Sequence, residues 1–468
     1  MIKNYIWTFV VKNFDQLFKF LVGMFLARKL LPEDFGVMAI TIAIISILNS
    51  IVRFGFGSAI VQFNGSKLKE RFSSIFWFNL VLSVLMFLTL NVFSSSISIF
   101  FEQEVLVNII RVVSILIIFE SLILVQRSYL KKTLQFKSIN KRLLVSTIIS
   151  GITGCVMAYI GFGVWSLVAM TITSSFISLI LYWFYSDWIP KFSYKYNDIK
   201  PILNFGVFRF FEILTKDIFK RLNTFFIGKF FDISLLGFYN KANSFSKILN
   251  NSISSINIVL YPHLSEVQND DDKFYQIYNI VFSLITVFVF ILSGLFILWS
   301  FELVNLFFGP NWNKSAEILQ IIALAGFVRP LLTINSSLLL SKGYSMQSFN
   351  ISLIYRIINI LTVFIGIYFG FELFIYSFVI GEIFYFFINF YFIHSKLNNK
   401  KLFNSIVSIF IYLLPLVFLF VLIFNFTFNI KIKLFISLVY ICLGLIVFLI
   451  FNHGLIKIYR KFLTNFNF

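Results

Sequence analysis

The sequence predicts an all-α integral membrane protein, with about 14 transmembrane helices in two six-helix lobes and two C-terminal helices. Of 468 residues, 59% are hydrophobic and only 13% are charged, and the mean hydropathy is +0.90. A soluble domain averages about 25% charged residues and stops growing at about 250–300 residues. A surface that faces lipid accommodates this much apolar side chain, so the chain is predicted to cross a membrane.

Apolar runs of about twenty residues, enough to span a bilayer, define the predicted helices. They cover 9–30, 34–52, 73–98, 107–128, 143–162, 164–185, 202–230, 233–262, 276–300, 314–341, 346–369, 371–393, 405–426 and 433–452. The predicted domains are an N-lobe at 1–185, a cytoplasmic linker at 186–201, a C-lobe at 202–394, and two further helices with a tail at 395–468.

The two halves of the chain also contain similar sequence segments. Ala27–Gly36 resembles Ile227–Gly237, and Tyr159–Trp165 resembles Tyr368–Phe374, at offsets of about 200 residues. Equal halves of like orientation indicate lobes related by a pseudo-twofold axis along the membrane normal. The alternative is chance similarity in apolar sequence of low complexity.

Lysine and arginine in the short loops indicate the orientation. With a cytoplasmic N-terminus, the inside loops hold most of these residues, namely Arg53, Lys67, Lys69, Arg71, Arg127, Lys131, Lys132, Lys137, Lys141, Arg142, Lys396, Lys400, Lys401, Lys457, Arg460 and Lys461. An opposite loop carries Glu102 and Glu104. Both termini are therefore predicted to be cytoplasmic, and the net charge of +19 is interpreted as a topology signal, with no nucleic acid as partner.

Enzyme chemistry has no recognisable signature in the sequence. No phosphate-binding loop or catalytic triad pattern occurs, and no loop is long enough for a catalytic domain. Cys155 and Cys442 lie in apolar runs and are interpreted as buried thiols. The three histidines have no cysteine or carboxylate at ligand spacing. We expect neither an enzyme, nor a metal site, nor a cofactor.

Ionisable residues inside the predicted helices are the strongest functional signal. Each costs about 2.5–3.5 kcal/mol when it faces lipid at mid-depth, so such residues tend to line a watery cavity or pair with one another. Segment 9–30 carries Lys12, Asp15 and Lys19 on one face. Its repeat counterpart, 202–230, carries a denser set: Arg209, Glu212, Lys216, Asp217, Lys220 and Arg221. The alternative is snorkelling or mutual pairing of purely structural value.

Glu120 and Arg329 occupy equivalent positions of the two predicted lobes. We hypothesise that they form an ion pair that gates a central cavity. Pro330 is expected to kink its helix because proline removes a backbone donor. Arg356 and Glu382 are further intramembrane charges, for which structural pairing is an equal alternative.

Cations predominate among these residues, and a cationic cavity suits an anionic, phosphate-bearing substrate. A drug-cation exporter would show the reverse. The predicted substrate-binding cations are Lys12, Lys19, Arg209, Lys216, Lys220, Arg221, Arg329 and Arg356. The candidates for ion coupling or gating are Asp15, Glu120, Glu212 and Asp217.

Several stretches resemble bacterial polysaccharide transporters, the Wzx-type O-antigen and exopolysaccharide flippases of the multidrug/oligosaccharidyl-lipid/polysaccharide exporter superfamily. The similar stretches are Phe25–Ala39, Phe54–Gln62, Ile227–Phe231 with Leu236–Ala242, Leu260–Ser265, Leu319–Pro330 and Ser337–Gly343. Their order matches the family over residues 1–395, and the last two helices match weakly.

The resemblance implies alternating access and a cargo of undecaprenyl-pyrophosphate-linked oligosaccharide. The cargo would move from the cytoplasmic to the outer leaflet of the bacterial inner membrane, for O-antigen, capsule or exopolysaccharide synthesis. A polysaccharide polymerase or another assembly protein is a possible partner. Two alternatives stay open at this point, an ion-coupled multidrug antiporter of the same superfamily and an integral-membrane polymerase.

Overall fold

The computed structural model describes residues 2–57, 60, 68–186, 188–192, 196–397, 400–425 and 428–451, and these are overwhelmingly helical. The all-α prediction is confirmed. The first helices are α1 Ile2–Lys29, α2 Pro32–Arg53, α3 Leu68–Phe101, α4 Val105–Val113, α5 Ile115–Lys132, α6 Phe136–Ile160, α7 Trp165–Phe184, α8 Tyr196–Phe230 and α9 Ile233–Glu266. The later ones are α10 Asp271–Leu298, α11 Ser300–Phe308, a 3₁₀ turn Pro310–Trp312, α12 Asn313–Ser341, α13 Ser345–Phe369, α14 Phe371–Leu397, α15 Lys400–Asn425 and α16 Ile430–Phe451.

Ten helices among the described residues are long and apolar enough to cross a membrane. They coincide with ten of the predicted segments, and α4 and α5 together form one of them, over Val105–Lys132. The predicted membrane class is therefore confirmed, and the number of about 14 spans stays a prediction.

The four remaining predicted segments are also helical, and three of them are more polar. Helices α1 and α8 carry the charge clusters described above, and α9 is rich in asparagine and serine. Within α15, Ile411–Ile423 is an apolar stretch among the residues whose side chains the structure describes. Charged and amide side chains lower the hydropathy of a helix without preventing it from forming, because its backbone hydrogen bonds are internal.

Two local features were not predicted. The helix chain breaks at Ser114, between α4 and α5, and a short helix, α11, fills the gap between the predicted segments 276–300 and 314–341. The thiol prediction was also wrong. Cys155 is only partly buried and Cys442 is exposed, because apolar residues on the lipid-facing side of a membrane helix need no protein neighbour.

The chain divides into two compact units, Met1–Asn240 and Lys241–Phe468, and the division falls inside α9. The predicted lobes divide earlier, at 186–201. Those lobe boundaries stay a prediction, since a repeat boundary and a boundary between compact units are different properties.

In the first unit, α1 packs on α6, α6 on α7, α2 on α8, and α3 on α5. Helix α2 also contacts α5, and α5 contacts α6. These contacts bring α1, α2, α5, α6 and α8, which carry the intramembrane charges of this unit, into one connected set of helices.

In the second unit, α12 packs against α10, α13 and α14 and is largely buried. Helices α15 and α16 dock on α10, where the Tyr440 ring stacks on Phe290 at 4.3 Å and its hydroxyl donates to the Phe290 carbonyl at 3.0 Å. Gly294 leaves room for that ring, since a Cβ at this position would lie 2.2 Å from it. The two C-terminal helices therefore belong to this unit.

Candidate functional site

A dense charge cluster surrounds Glu120 on α5 in the first unit. The Glu120 carboxylate pairs with Arg53 at 2.8 Å and with Arg127. The Glu120 side chain is 16% exposed, whereas that of Arg53 is 47% exposed. The carboxylate is therefore enclosed by its partners, and the guanidinium of Arg53 remains accessible.

Two lysines extend this cluster. Lys131 lies within Coulombic range of Glu120, Arg127, Arg53 and Lys12. Lys12 and Lys131 are both exposed. Three of these cations lie near the Glu120 carboxylate and Lys12 lies near Lys131. The four cations and one carboxylate together carry a net charge of about +3 at neutral pH. This surplus of positive charge, defined by Lys12, Arg53, Glu120, Arg127 and Lys131, is called the cationic cluster below.

The helical geometry explains how these residues meet. Arg127 and Lys131 follow Glu120 by two and three turns of α5, so all three project from nearby faces of one helix. Arg53 is the last residue of α2, and α2 packs against α5. Excess cations inside a membrane helix bundle favour a watery surrounding or an anionic partner.

Asp15 of α1 is buried and tied to a neighbouring helix. Its carboxylate accepts a hydrogen bond from the Thr147 hydroxyl of α6 at 2.6 Å and pairs with Lys19, one turn away, at 2.8 Å. The three predicted α1 residues therefore differ in surroundings, since Asp15 lies at a helix–helix contact and both Lys12 and Lys19 are exposed.

On α8, two of the predicted residues contact α2. Asp217 accepts a hydrogen bond from Ser50, and the Arg221 Nε donates to the Ser46 hydroxyl at 3.1 Å. Glu212, Lys216 and Lys220 are exposed. The prediction for Arg209 concerns a side chain outside those the structure describes.

Arg329 and Glu382 form a buried ion pair on the central helices of the second unit. Arg329 of α12 donates to Glu382 Oε1 of α14 from Nε at 2.9 Å and from Nη2 at 2.7 Å. The Tyr355 hydroxyl of α13 donates to the same oxygen at 2.8 Å. The Arg329 guanidinium also lies over the Phe378 ring, 4.9 Å from its centroid.

These pairings bear on the gating hypothesis. Glu120 and Arg329 each have ion-pair partners inside their own unit, Arg53 and Arg127 for the first and Glu382 for the second. A direct pair between Glu120 and Arg329 stays a prediction. Arg356 lies 6.0 Å from the centroid of the Phe349 ring on the same helix, so its predicted role in binding is likewise untested.

Sequence reasoning assigned Arg53, Arg127 and Lys131 to cytoplasmic loops and so missed their place beside Glu120. The signal was present for Arg127, seven residues after Glu120. The predicted helix 107–128 already contained Arg127 but ended before Lys131, whereas α5 continues to Lys132 and places Lys131 on the same helix. Among the residues that the structure describes, no group of three or more His, Cys, Asp or Glu side chains could hold a metal ion.

Comparisons with known proteins agree with this architecture. The family model described as "Polysaccharide biosynthesis protein" matches residues 25–317. The succinoglycan biosynthesis transport protein ExoT of Rhizobium meliloti (strain 1021) is 25% identical over 332 residues, which are 70% of this chain and 67% of that protein.

Two solved structures share the fold. The lipid II flippase MurJ, in an inward closed conformation, superposes with a TM-score of 0.72 at 17% identity, over 98% of this chain and 100% of that one. An inward-facing multidrug resistance MATE family transporter superposes with a TM-score of 0.65 at 15% identity, over 82% and 94% of the two chains. The chain is thus a multi-span membrane protein with a transporter fold, and by its family model it belongs to the polysaccharide biosynthesis protein family.

Proposed function

We propose that the chain is a flippase that carries a polyprenyl-pyrophosphate-linked oligosaccharide across the bacterial cytoplasmic membrane. The cationic cluster is the observation that carries the proposal. A pyrophosphate has two neighbouring anionic groups, and arginine binds phosphate oxygens through paired N–H donors. Family membership and the "transport protein" name of the relative ExoT support a role in polysaccharide export.

In this proposal Arg53 and Lys131 make the first contact with the pyrophosphate. Arg53 is the more exposed of the two arginines that pair with Glu120, and Lys131 is exposed as well. Glu120 keeps both guanidinium groups in place when no cargo is bound. The carboxylate neutralises only one of the four cations, so the site still attracts an anion. It also lowers the free-energy cost of holding the cations close together inside the protein.

The direction of transport follows from the proposed orientation. With both termini cytoplasmic, the cationic cluster lies toward the cytoplasmic end of α5, near Lys132, Lys137 and Lys141, and Glu102 lies at the opposite end. In this scheme the cargo has its pyrophosphate on the cytoplasmic side, where it binds the cationic cluster. It is then released toward the outer leaflet.

The main rival is an ion-coupled drug antiporter, since a MATE transporter shares the fold. Fold alone separates these functions poorly. The net positive charge of the cationic cluster disfavours organic cations as substrates, because like charges repel in a low-dielectric surrounding.

Binding of a short polyprenyl diphosphate to the purified full chain in lipid nanodiscs tests the proposal. Farnesyl diphosphate supplies the anionic headgroup, and farnesol has the same tail without charge. We expect farnesyl diphosphate to bind tightly and farnesol weakly. Arg53→Gln and Arg127→Gln should each weaken diphosphate binding about 10-fold or more, the loss of one charge-assisted hydrogen bond of about 1.5–3 kcal/mol.

Lys229→Gln is the matched control. Lys229 pairs with Glu102 at 2.8 Å on α8, away from the cationic cluster, and its loss should leave the affinity unchanged. Equal affinities for farnesyl diphosphate and farnesol, or diphosphate binding that survives both arginine substitutions, would contradict the proposal. Tighter binding of an organic cation such as tetraphenylphosphonium would favour the antiporter instead.

A further inference from the structure

The linker between α7 and α8 is docked on α3. Its described residues are 185–186 and 188–192. The Lys191 backbone N–H donates to the Ser73 hydroxyl at 3.1 Å, and the Trp77 indole N–H donates to the Lys191 carbonyl at 2.9 Å. Two hydrogen bonds in opposite directions thus fix the backbone of this linker to one helix.

Trp188 inserts from this linker into a buried apolar cluster. Its side chain is 4% exposed and lies edge-on to the rings of Phe72 and Phe76, with 6.1 Å between ring centroids in both cases. The buried members of this apolar cluster are Phe56, Ile60, Phe72, Ile75, Phe76, Leu124, Val125 and Trp188. The apolar cluster therefore joins the linker to α3, to α5 and to the segment that follows α2.

This apolar cluster is close in sequence to both members of the Arg53–Glu120 ion pair. Phe56, which is fully buried in it, follows Arg53 by three residues. Leu124, another member, follows Glu120 by about one turn of α5. Packing in the apolar cluster therefore helps to set how the end of α2 lies relative to this part of α5, and the ion pair depends on that arrangement.

The turn after Arg53 needs support from its surroundings. Phe54 has a φ of 37° and Gly55 a φ of 74°. Left-handed backbone is unfavourable for a residue with a Cβ, so Phe54 keeps this conformation only where neighbouring contacts impose it. The Arg53 side chain is 47% exposed, so its own packing constrains it little. The position of its guanidinium therefore depends on the backbone of the turn.

We propose that Trp188 is a positioning residue of the cationic cluster. The inference rests on the proposed function. By filling the apolar cluster, Trp188 keeps the turn after α2 in its left-handed conformation and holds the Arg53 guanidinium beside Glu120, ready for a diphosphate. Arg127 lies within the regular helix α5, whose internal hydrogen bonds fix its backbone. The effect of Trp188 on binding is therefore assigned to Arg53.

A double-mutant cycle in the binding of farnesyl diphosphate tests this coupling. The full chain in nanodiscs is compared with Trp188→Ala, Arg53→Gln and the combined variant. Trp188→Ala alone should weaken diphosphate binding by up to about 10-fold, the loss expected for Arg53→Gln. The combined variant should bind no more weakly than Arg53→Gln, because the removed guanidinium can no longer be displaced. The weak binding of farnesol should be unchanged in all four proteins.

Trp188→Phe retains a ring in the apolar cluster and should retain the wild-type affinity. Phe192→Ala is the matched control. Phe192 belongs to the same linker and stacks on Trp77 at 4.7 Å, but it is 94% exposed, so its loss should leave the affinity unchanged. If Trp188→Ala does not fold, Trp77→Phe replaces it in the cycle, because this substitution removes one hydrogen bond to the linker and keeps an aromatic ring.

Wild-type affinity in Trp188→Ala would overturn the inference, because a purely structural anchor lowers the unfolding temperature without changing the affinity of the folded protein. An affinity loss of the same size with and without the Arg53 side chain would overturn it as well. In both cases the flippase proposal stands, provided that wild type prefers farnesyl diphosphate to farnesol. Absence of that preference in wild type would instead contradict the flippase proposal and, with it, this inference.

Discussion

Gly237 of α9 lies directly against the backbone of Pro32, the first residue of α2. A Cβ at Gly237 would lie 1.9 Å from the Pro32 carbonyl oxygen. The contact is reciprocal, since a Cβ at Gly36 of α2 would lie 2.1 Å from the carbonyl oxygen of Ile233, the first residue of α9. Gly36 and Gly237 are equivalent in the two similar stretches, and so are Pro32 and Ile233. Each glycine contacts the first residue of the other helix, as expected if a twofold axis relates the starts of α2 and α9.

This crossing predicts that Gly36→Ala and Gly237→Ala are severely destabilising. The obstructing atoms belong to the backbone and cannot move aside as a side chain can, so the helices must separate. We expect a loss of about 1–3 kcal/mol or more for each, measured as thermal unfolding of the purified chain in detergent.

Gly57→Ala is the control for these substitutions, because a Cβ there would lie 3.4 Å from the Ser128 hydroxyl, an ordinary contact. Unfolding temperatures that match wild type for both Gly36→Ala and Gly237→Ala would refute the close crossing.

A buried chain of polar side chains predicts a second stability effect. The Tyr278 hydroxyl donates to Asn335 Oδ1 at 2.7 Å, and Asn335 Nδ2 donates to Asn389 Oδ1 at 3.0 Å. Asn335→Leu should cost about 1–3 kcal/mol for each group left without a partner. Asn240→Leu, at an amide that donates to the Leu236 carbonyl one turn earlier, should cost less. Similar unfolding temperatures for the two variants would contradict a stabilising role for these buried hydrogen bonds.

The adjacent residues Lys141 and Arg142 are predicted to respond differently to substitution. The buried Arg142 donates to the carbonyls of Leu181 at 3.1 Å and Tyr185 at 3.3 Å and lies over the Tyr182 ring. Arg142→Gln should therefore lower stability by about 1–3 kcal/mol. Lys141 is exposed, and Lys141→Gln should stay within about 0.5 kcal/mol of wild type. Denaturant titrations compare them, and equal effects would contradict this assignment of Arg142 to a structural role.

The Asp270 cap should make the stability of the start of α10 depend on pH. Hydrogen bonds from the side chain and backbone N–H of Lys273 lower the pKa of Asp270 below its ordinary value of 3.8. A lowered pKa means that the cap stabilises the start of α10 fully above that ordinary value, and that the stabilisation is lost as the pH falls through the lowered pKa.

Hydrogen exchange at the first amides of α10, corrected for intrinsic rates, measures this effect. Asp270→Ala should exchange faster than wild type at pH 6, and the difference should shrink as the pH is lowered below 3.8. A difference that widens in acid would have the wrong sign for a carboxylate cap.

The helix positions could be predicted because a bilayer core imposes a run of about twenty apolar residues on each span. Helices α1 and α8 were correctly expected to be charged, but hydropathy alone does not qualify them as spans. The ion-pair partners could not be predicted from the sequence. Arg53 and Glu120 are 67 residues apart, and their contact depends on how α2 packs against α5, which periodicity does not encode.

The same reason explains the partner of Arg329. The sequence placed Arg329 and Glu382 in separate helices and suggested Glu120 as the partner from the repeat offset alone. Within the second unit, α12 packs on α14 and brings Arg329 and Glu382 together. A repeat offset gives equivalent positions, and equivalence is not proximity.

The central claim, transport of a lipid-linked oligosaccharide that depends on the cationic cluster, is tested most directly by the leaflet on which that intermediate resides. Cells that lack the protein would be complemented with wild type, Arg53→Gln/Arg127→Gln or Lys229→Gln at matched protein levels. The lipid-linked oligosaccharide on each leaflet would then be quantified. We predict accumulation on the cytoplasmic leaflet without the protein and with the double variant, and relief by wild type and Lys229→Gln. An intermediate that reaches the outer leaflet normally in cells without the protein, with only polymer missing, would contradict the account and favour a polymerase.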